Sequence, residues 1–352
     1  MLHNWLKGID GLNNMSALIG IEMLIVALAV FVCTVAITKV VLPVLRAKKL
    51  GQNVSGYVPE HANKQGTPTM GGICFIMATL AVMFVWIVLE VIGRKNELVG
   101  DKKIIAMVFT LVFGVVNAMI GFIDDYAKLV KKQNEGLTDK QKMACQIVAA
   151  AGYLAAMALC VGITTSFNIP FTNISINLGY FAYPIYLLVI VGFVNSTNIT
   201  DGLDGLASSV CLSVAMGIVL LSAIFSWRYT GIVGATLIGS TLGFLVFNHY
   251  PAKIFMGDTG SLYIGGIIMG CAVAEGELII FVIMSLLFVL EMLSSLWQRV
   301  YFKLTHGKRF FKMAPIHHHF QKLGWGEVKI VTVFFIVSLI FVAIGALGKI
   351  IC

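Results

Sequence analysis

Charged residues are scarce in this sequence. They make up 12% of its 352 residues, against about 25% in soluble globular domains. Hydrophobic residues make up 59%, and the mean hydropathy is +0.92. A transmembrane helix needs about 20 mostly apolar residues, so this composition predicts an integral membrane protein and excludes an ordinary soluble enzyme.

Paired cysteines are missing as well. The chain has seven cysteines, an odd number, and none of them forms a CxxC pair. This pattern excludes a disulfide framework and a zinc site of the usual spacing. The net charge of +8 is interpreted as basic loops that face anionic lipid, not as a surface for nucleic acid.

The sequence also lacks short alternating strand patterns and a cleavage signal after its N-terminus. We therefore expect membrane-spanning helices, the first of them retained. The predicted fold class is all-α: one domain over residues 1–352 with about ten transmembrane helices. The predicted spans are Ile19–Leu42, Gly71–Ile92, Lys103–Ile123, Met143–Ile163, Tyr180–Asn198, Leu206–Phe225, Gly231–Phe247, Leu262–Ala274, Leu278–Gln298 and Val328–Leu347.

Lysine and arginine are unevenly distributed over the predicted loops. The loops after the odd-numbered spans, with their helix ends, hold 18 of these residues, and the other side holds 7. The positive-inside rule makes the first side cytoplasmic, so both termini face outward. Most aspartates fall on the cytoplasmic side too, although the rule does not concern acids. They are Asp124, Asp125, Asp139, Asp201, Asp204 and Asp258.

Two adjacent aspartates, Asp124 and Asp125, end the third predicted span in the motif IDDYAK. Acids inside a bilayer are costly, so we expect this pair at the interface or beside a cation. Neighbours on a helix point about 100° apart, so the two carboxylates need not share one ligand. Lys128 follows one turn later, where it can pair with Asp124 or meet a phosphate. A solvated helix end is the alternative interpretation.

Two further motifs carry acids beside glycines. NITDGLDGL spaces Asn198, Asp201 and Asp204 three residues apart, which puts them on one face if the stretch is helical. Helix packing through glycines is the alternative, but it does not explain three polar groups. NHYPAKIFMGDTGS sets Asp258 in a glycine-flanked turn. Magnesium typically binds one or two carboxylates together with substrate phosphates, so Asp258 is a candidate ligand.

The last two motifs are basic. MAPIHHHF contains His317, His318 and His319, which cannot easily share one metal, and matching zinc ligands are missing. Contact with a phosphate or nucleotide is therefore favoured. HANKQGTPTMGG brings Lys64 into the first cytoplasmic loop. Carboxylates, lysines and histidines on one membrane face favour metal-assisted phosphoryl transfer with one lipid substrate.

These five motifs, in this order and over nearly the whole chain, resemble those of the phospho-N-acetylmuramoyl-pentapeptide transferases. That family is a branch of the polyprenyl-phosphate N-acetylhexosamine-1-phosphate transferase superfamily. The resemblance implies a Mg²⁺-dependent reaction at the cytoplasmic face of the bacterial inner membrane. In this reaction UDP-MurNAc-pentapeptide and undecaprenyl phosphate give lipid I and UMP. It also implies a homodimer in the bilayer and no nucleic-acid partner.

The resemblance also implies roles for individual residues, with Asp258 as the Mg²⁺ ligand. The implied catalytic residues are Asp124, Asp125, Asp258 and His317. The implied substrate-binding residues are Lys64, Thr69, Lys128, Lys140, Asn198, Asp201, Asp204, Asn248, Phe255, Gly257, Ser261, Gln298, His318 and His319. The chain departs from the family pattern at Gln321, where an acid is expected.

Three alternatives stay open at this point. A GlcNAc-1-phosphate transferase would use the same lipid carrier, although the HHH motif favours the muramoyl branch. An ion-coupled transporter needs acids near the bilayer midplane, and Glu291 lies well inside the ninth predicted span. Within a transferase, one-step attack by the lipid phosphate competes with a two-step path through an aspartyl-phosphate. In the one-step path Asp124 accepts the proton of the lipid phosphate or holds this phosphate in its deprotonated form.

Overall fold

The computed structural model describes residues 15–47, 66–94, 101–131 and 136–351. Lys64 lies outside these residues, so its predicted role stays a prediction. Within them the chain forms twelve α-helices. In chain order they are α1 (Met15–Ala47), α2 (Gly72–Arg94), α3 (Lys102–Lys131), α4 (Asp139–Cys160), α5 (Ala182–Thr200), α6 (Leu206–Phe225), α7 (Arg228–Asn248), α8 (Gly257–Glu275), α9 (Leu278–Met284), α10 (Leu286–Leu304), α11 (Ile316–Lys322) and α12 (Glu327–Ile350).

Eight of the described helices are long and apolar enough to cross a membrane, and the count is nine if one bent helix pair is a span. This confirms a helical, multi-pass membrane protein. The bent pair is α9 and α10, which meet at 78° and divide the ninth predicted span. The eighth predicted span lies inside α8, which is not among the eight. A count of ten therefore stays a prediction, since it requires both α8 and the bent pair.

Helix α8 lies at the centre of the fold. Every residue from Thr259 to Val273 is buried, as expected for a helix surrounded by other helices. Small residues let the neighbouring backbones approach closely. A Cβ on Gly72 of α2 would overlap the backbone of Gly260, and a Cβ on Gly121 of α3 would overlap the backbone of Asp258. These glycines fix the start of α8 beside the end of α3.

A short antiparallel ladder between α4 and α5 was not predicted. Its strands are β1 (Ser166–Asn168) and β2 (Ser175–Asn177), with Phe167 opposite Ile176. The stretch falls between two predicted spans, and three residues per strand give too little alternation for a pattern to register. It is a small exception to the all-α expectation, and it lies at the opposite end of α5 from the aspartate motifs.

Candidate active site

Three carboxylates meet where α3 ends and α8 begins. Asp124, Asp125 and Asp258 each offer an oxygen atom, and these oxygens lie within 4.8 Å of one another. The two aspartates of α3 are buried. We call these three residues, together with Lys128 and Lys142, the carboxylate–lysine cluster.

Asp125 holds the first turn of α8 in place. Its carboxylate accepts hydrogen bonds from the backbone N–H groups of Asp258 at 3.2 Å and Thr259 at 3.0 Å, and from the Thr259 hydroxyl at 2.7 Å. A helix N-terminus leaves such N–H groups unpaired and favours a negative partner. Gly257 has φ +69°, and a Cβ there would lie 2.5 Å from Asp125 Oδ2. Asp125 and Gly257 thus orient Asp258.

Two lysines neutralise the other two carboxylates. Lys128 Nζ lies 2.6 Å from Asp124 Oδ2 and 3.1 Å from Asp258 Oδ2. Lys142 Nζ lies 2.7 Å from the same Asp258 oxygen. Two ammonium groups therefore converge on one carboxylate oxygen at the mouth of the site, where the Asp258 side chain is 17% exposed.

Lys142 was missed in the sequence, and Lys140 was predicted in its place. Lys140 is exposed, and it points about 200° away from Lys142 around the helix. The signal was the periodicity of α4. Its buried residues Gln146 and Ala150 follow Lys142 at four-residue intervals, so Lys142 lies on the packed face.

Asn198 links α5 to the carboxylate–lysine cluster. Its Nδ2 donates to Asp258 Oδ1 at 2.8 Å and to Ser261 Oγ at 2.9 Å. Its Oδ1 accepts from Lys142 Nζ at 3.0 Å. Asn198 therefore holds Oδ1 of Asp258, the oxygen that the lysines do not contact, and Ser261 anchors Asn198; both were predicted as binding residues.

Asp201 lies just beyond α5 and adds a fourth acid. No hydrogen bond to its carboxylate occurs among the described residues. Burial raises its pKa well above the ordinary value, and the nearby carboxylates of Asp258, Asp125 and Asp204 raise that pKa further. The three carboxylates of the cluster already outnumber its two lysines, which suits the site to take up another cation.

The carboxylate oxygens fit a divalent metal by their chemistry, since Mg²⁺ prefers hard oxygen ligands. They do not fit it equally. Both oxygens of Asp125 are engaged by the start of α8, whereas Oδ2 of Asp124 and Oδ2 of Asp258 are held by lysine ammonium groups. A metal could replace an ammonium group at these two oxygens without uncapping α8.

Asp204 and Asn248 shape the loop before α8. Asp204 Oδ2 accepts from the Ala252 backbone N–H at 2.9 Å. Asn248 donates to the Ile254 carbonyl at 2.9 Å and accepts from the Gly205 N–H at 3.2 Å. Both side chains are buried. In this structure they support the loop and do not touch the carboxylate–lysine cluster.

The GTPTMGG motif docks on the same loop. The Phe255 backbone N–H donates to the Pro68 carbonyl at 2.8 Å, and the Gly71 N–H donates to the Phe255 carbonyl at 2.8 Å. Thr69 is buried and its hydroxyl lies against Gly257. The Phe255 ring remains half-buried at the surface, where it is open to a ligand.

The three histidines of α11 have different hydrogen-bond partners. His317 is fully buried, and its Nδ1 lies 2.9 Å from Glu291 Oε2 of α10. His318 Nδ1 lies 2.7 Å from Gln321 Oε1, so Gln321 supplies the acceptor that the expected acid would supply. His319 Nδ1 accepts from the Lys312 backbone N–H at 3.1 Å.

Gln298 holds the loop that precedes these histidines. Its side chain accepts from the Phe311 N–H at 2.9 Å and donates to the Phe311 carbonyl at 3.1 Å. Gln298 and His319 therefore fix the loop on α10. Neither residue contacts the carboxylate–lysine cluster, so their predicted substrate contacts remain predictions.

Comparison with known proteins adds a family to this geometry. Residues 105–276 match the model of the family described as Glycosyl transferase family 4. Residues 64–76, which overlap the GTPTMGG motif, match the phospho-N-acetylmuramoyl-pentapeptide-transferase signature 1. The first match extends just past the last residue of α8, Glu275, and includes all five residues of the carboxylate–lysine cluster.

Curated relatives match over most of the chain. A phospho-N-acetylmuramoyl-pentapeptide-transferase of Clostridium perfringens is 43% identical over 312 residues, which cover 88% of this chain and 92% of the relative. One of Staphylococcus aureus is 42% identical, covering 91% and 97%. One of Halalkalibacterium halodurans is 39% identical, covering 91% and 95%.

Proposed function

The chain belongs to the phospho-N-acetylmuramoyl-pentapeptide-transferase family, and from this premise we propose how its carboxylate–lysine cluster carries the reaction. Its function is the transfer of a phospho-N-acetylmuramoyl-pentapeptide group, a step of peptidoglycan synthesis. The proposed donor is UDP-MurNAc-pentapeptide and the proposed acceptor is undecaprenyl phosphate, so that the products are lipid I and UMP.

The observation that carries the proposal is the convergence of Lys128 and Lys142 on Asp258 Oδ2, at 3.1 and 2.7 Å. Both substrates bring phosphates to the site, and phosphoryl transfer depends on positioned positive charge. One carboxylate holds the two ammonium groups together, and the lysine side chains can rotate from it to contact those phosphates. The lysine stems are long and rotatable, so little else has to move.

We propose that Asp258 would hold Mg²⁺ in place of a lysine ammonium group and that Asp124, beside it, serves as the base. When bound, the metal supplies charge neutralisation at the pyrophosphate of the donor. Asp124 accepts the proton of the lipid phosphate or holds that phosphate in its deprotonated form. That phosphate then attacks the β-phosphorus of the donor, the bond from this phosphorus to the bridging oxygen breaks, and UMP leaves. Asp125 keeps Asp258 oriented throughout.

Asn198, Asp201 and the half-buried Phe255 ring are proposed to line the nucleotide pocket. Asn198 contacts the cluster directly, and Asp204 and Asn248 hold the loop before α8 that carries Phe255. Lys64, Thr69, Gln298, His318 and His319 are proposed to contact the substrate as well.

The site is proposed to face the cytoplasm of the bacterial inner membrane, with ten spans, both termini outward and two chains in a homodimer. The uneven distribution of lysine and arginine supports this orientation. A cysteine introduced at the exposed Lys140, in a variant without the native cysteines, tests it. An impermeant maleimide should label it only after the cells are lysed, and labelling of intact cells would reverse the orientation.

UMP release by the purified chain tests the reaction. We expect release to require UDP-MurNAc-pentapeptide, a polyprenyl phosphate and Mg²⁺ together, with UDP-GlcNAc inactive as donor. Release without the lipid phosphate, or with UDP-GlcNAc in its place, would contradict the proposal. Isolation of a phosphorylated chain that goes on to product would replace the one-step attack by a two-step path.

A further inference from the structure

A second buried acid–base contact lies on the other side of the site, between α10 and α11. Glu291 and His317 are both 0% exposed, and Glu291 Oε2 lies 2.9 Å from His317 Nδ1. We call them the Glu291–His317 pair. The proposed reaction gives Glu291 no role so far, and a buried acid inside α10 needs a cause.

The pair assigns the proton on the imidazole ring. A buried carboxylate is costly unless it is paired or hydrogen-bonded. Among the described residues no lysine or arginine lies within ion-pair distance of Glu291, and His317 is the side chain that bonds to its carboxylate. An ionised Glu291 can only accept, so in that state the contact places a ring proton on Nδ1 and leaves the other ring nitrogen, Nε2, to its surroundings.

Nε2 of His317 is buried and has no hydrogen-bond partner among the described residues. It lies against Gly202, where a Cβ would overlap it. Gly202 follows Asp201 in the turn that borders the carboxylate–lysine cluster. A buried polar atom without a partner is rare in proteins and calls for an explanation. Here it lies in the wall of a proposed nucleotide pocket.

We propose that Glu291 is a positioning residue for the transfer reaction. It holds the Nδ1–H of His317 and thereby keeps Nε2 turned to the 201–204 turn, where a polar group of the nucleotide-sugar donor supplies the missing partner. This inference rests on the proposed function. It explains why an acid lies inside α10, and it requires a residue without a side chain at position 202.

The kinetic test uses a double-mutant cycle. Glu291→Gln keeps the shape of the side chain but lets its amide bind either tautomer of His317. We expect kcat/KM to fall by about 100-fold, the scale of a 1 Å misplacement at a catalytic site. In a His317→Asn background the same change should have no further effect, because Glu291 acts through the ring. Effects that multiply would overturn the proposal.

A matched control is Glu277→Gln. Glu277 is a buried carboxylate as well, and it pairs with Lys349 at the opposite end of the molecule. This variant should keep the wild-type kcat/KM. If Glu291→Gln is as active as Glu277→Gln, Glu291 does not position His317 for the reaction.

A spectroscopic test does not depend on a variant that folds or on activity. ¹⁵N NMR of the histidine side chains in the wild-type chain should show the His317 proton on Nδ1. A neutral ring with its proton on Nε2 alone would overturn the proposal. Wild-type UMP release is measured first: its absence refutes the proposed function, whereas the NMR result still decides the state of the pair.

Discussion

The carboxylate–lysine cluster differs from a second charged cluster at the opposite end of the molecule. There Arg228 of α7 lies between Glu22 of α1 and Glu90 of α2. Its guanidinium donates to both oxygens of Glu22, at 2.7 and 2.6 Å, and to both oxygens of Glu90, at 2.7 and 3.1 Å. We call these three residues the Arg228 cluster.

Both clusters contain one more acid than base, but they hold their charges differently. The Arg228 cluster is closed: a rigid fork pairs all four carboxylate oxygens, and the guanidinium also stacks near Trp86 and Tyr229. In the carboxylate–lysine cluster flexible ammonium groups share one oxygen, and the Lys128 side chain is 33% exposed. A planar fork locks a geometry, whereas ammonium groups can exchange partners. The closed cluster is suited to stability and the open one to chemistry.

Breaking the closed cluster should have the largest effect, and the effect should be on stability. Arg228→Ala leaves two buried carboxylates without a counter-charge, which costs about 3–5 kcal/mol. Thermal unfolding in detergent measures it. Residual folded protein should still release UMP at low temperature. A normal unfolding temperature would show that α1, α2 and α7 are held by packing alone.

Breaking the carboxylate–lysine cluster should cause a large loss of activity while the fold survives. Asp258→Asn removes the charge that both lysines contact, and we expect kcat to fall by about 100- to 1,000-fold, as for loss of one preorganised electrostatic group. UMP release measures the loss, and thermal unfolding serves as the control. If this variant keeps its activity, Asp258 is not part of the reaction.

Lys142 and Lys140 of α4 allow a matched comparison of a lysine inside the carboxylate–lysine cluster with one outside it. Lys142→Ala should lower kcat/KM by about 10- to 100-fold, because one of two converging ammonium groups is lost. Lys140→Ala is the matched control and should have little effect, since its side chain is exposed. Equal losses in both variants would place the substrate outside the observed cluster.

Asp201 offers the smallest effect, and it is again on stability. Its raised pKa means that the folded chain holds this proton more tightly than the unfolded chain does. As the pH rises above 3.8, the ordinary pKa of this carboxyl, the group therefore destabilises the fold increasingly. Asp201→Asn should stabilise by about 1 kcal/mol at neutral pH and by less at pH 4. A gain that does not change with pH would contradict this.

Much of the open cluster could be predicted from the sequence, because acids are rare in apolar segments and stand out. Asp124, Asp258, Asn198 and Lys128 were all expected near phosphate chemistry, and the structure brings them together. Lys142 was missed because its face on α4 becomes clear only from the buried residues that follow it.

The contacts of the Arg228 cluster and of the Glu291–His317 pair were harder to predict. Glu22, Glu90 and Arg228 are far apart in sequence, and each alone reads as a single charge near a helix end. Glu291 was noticed but not explained, since its partner lies 26 residues later on another helix. Long-range pairing of this kind depends on how the helices pack, which local patterns do not encode.

We propose that the carboxylate–lysine cluster takes up a divalent cation and that the Arg228 cluster does not. Electron paramagnetic resonance of Mn²⁺, as a probe for the proposed Mg²⁺ site, tests it directly on the purified chain. We expect Mn²⁺ to bind the wild type and Glu22→Gln alike, and Asp258→Asn to lose this binding. If Asp258→Asn binds Mn²⁺ as the wild type does, the carboxylate–lysine cluster is not the metal site.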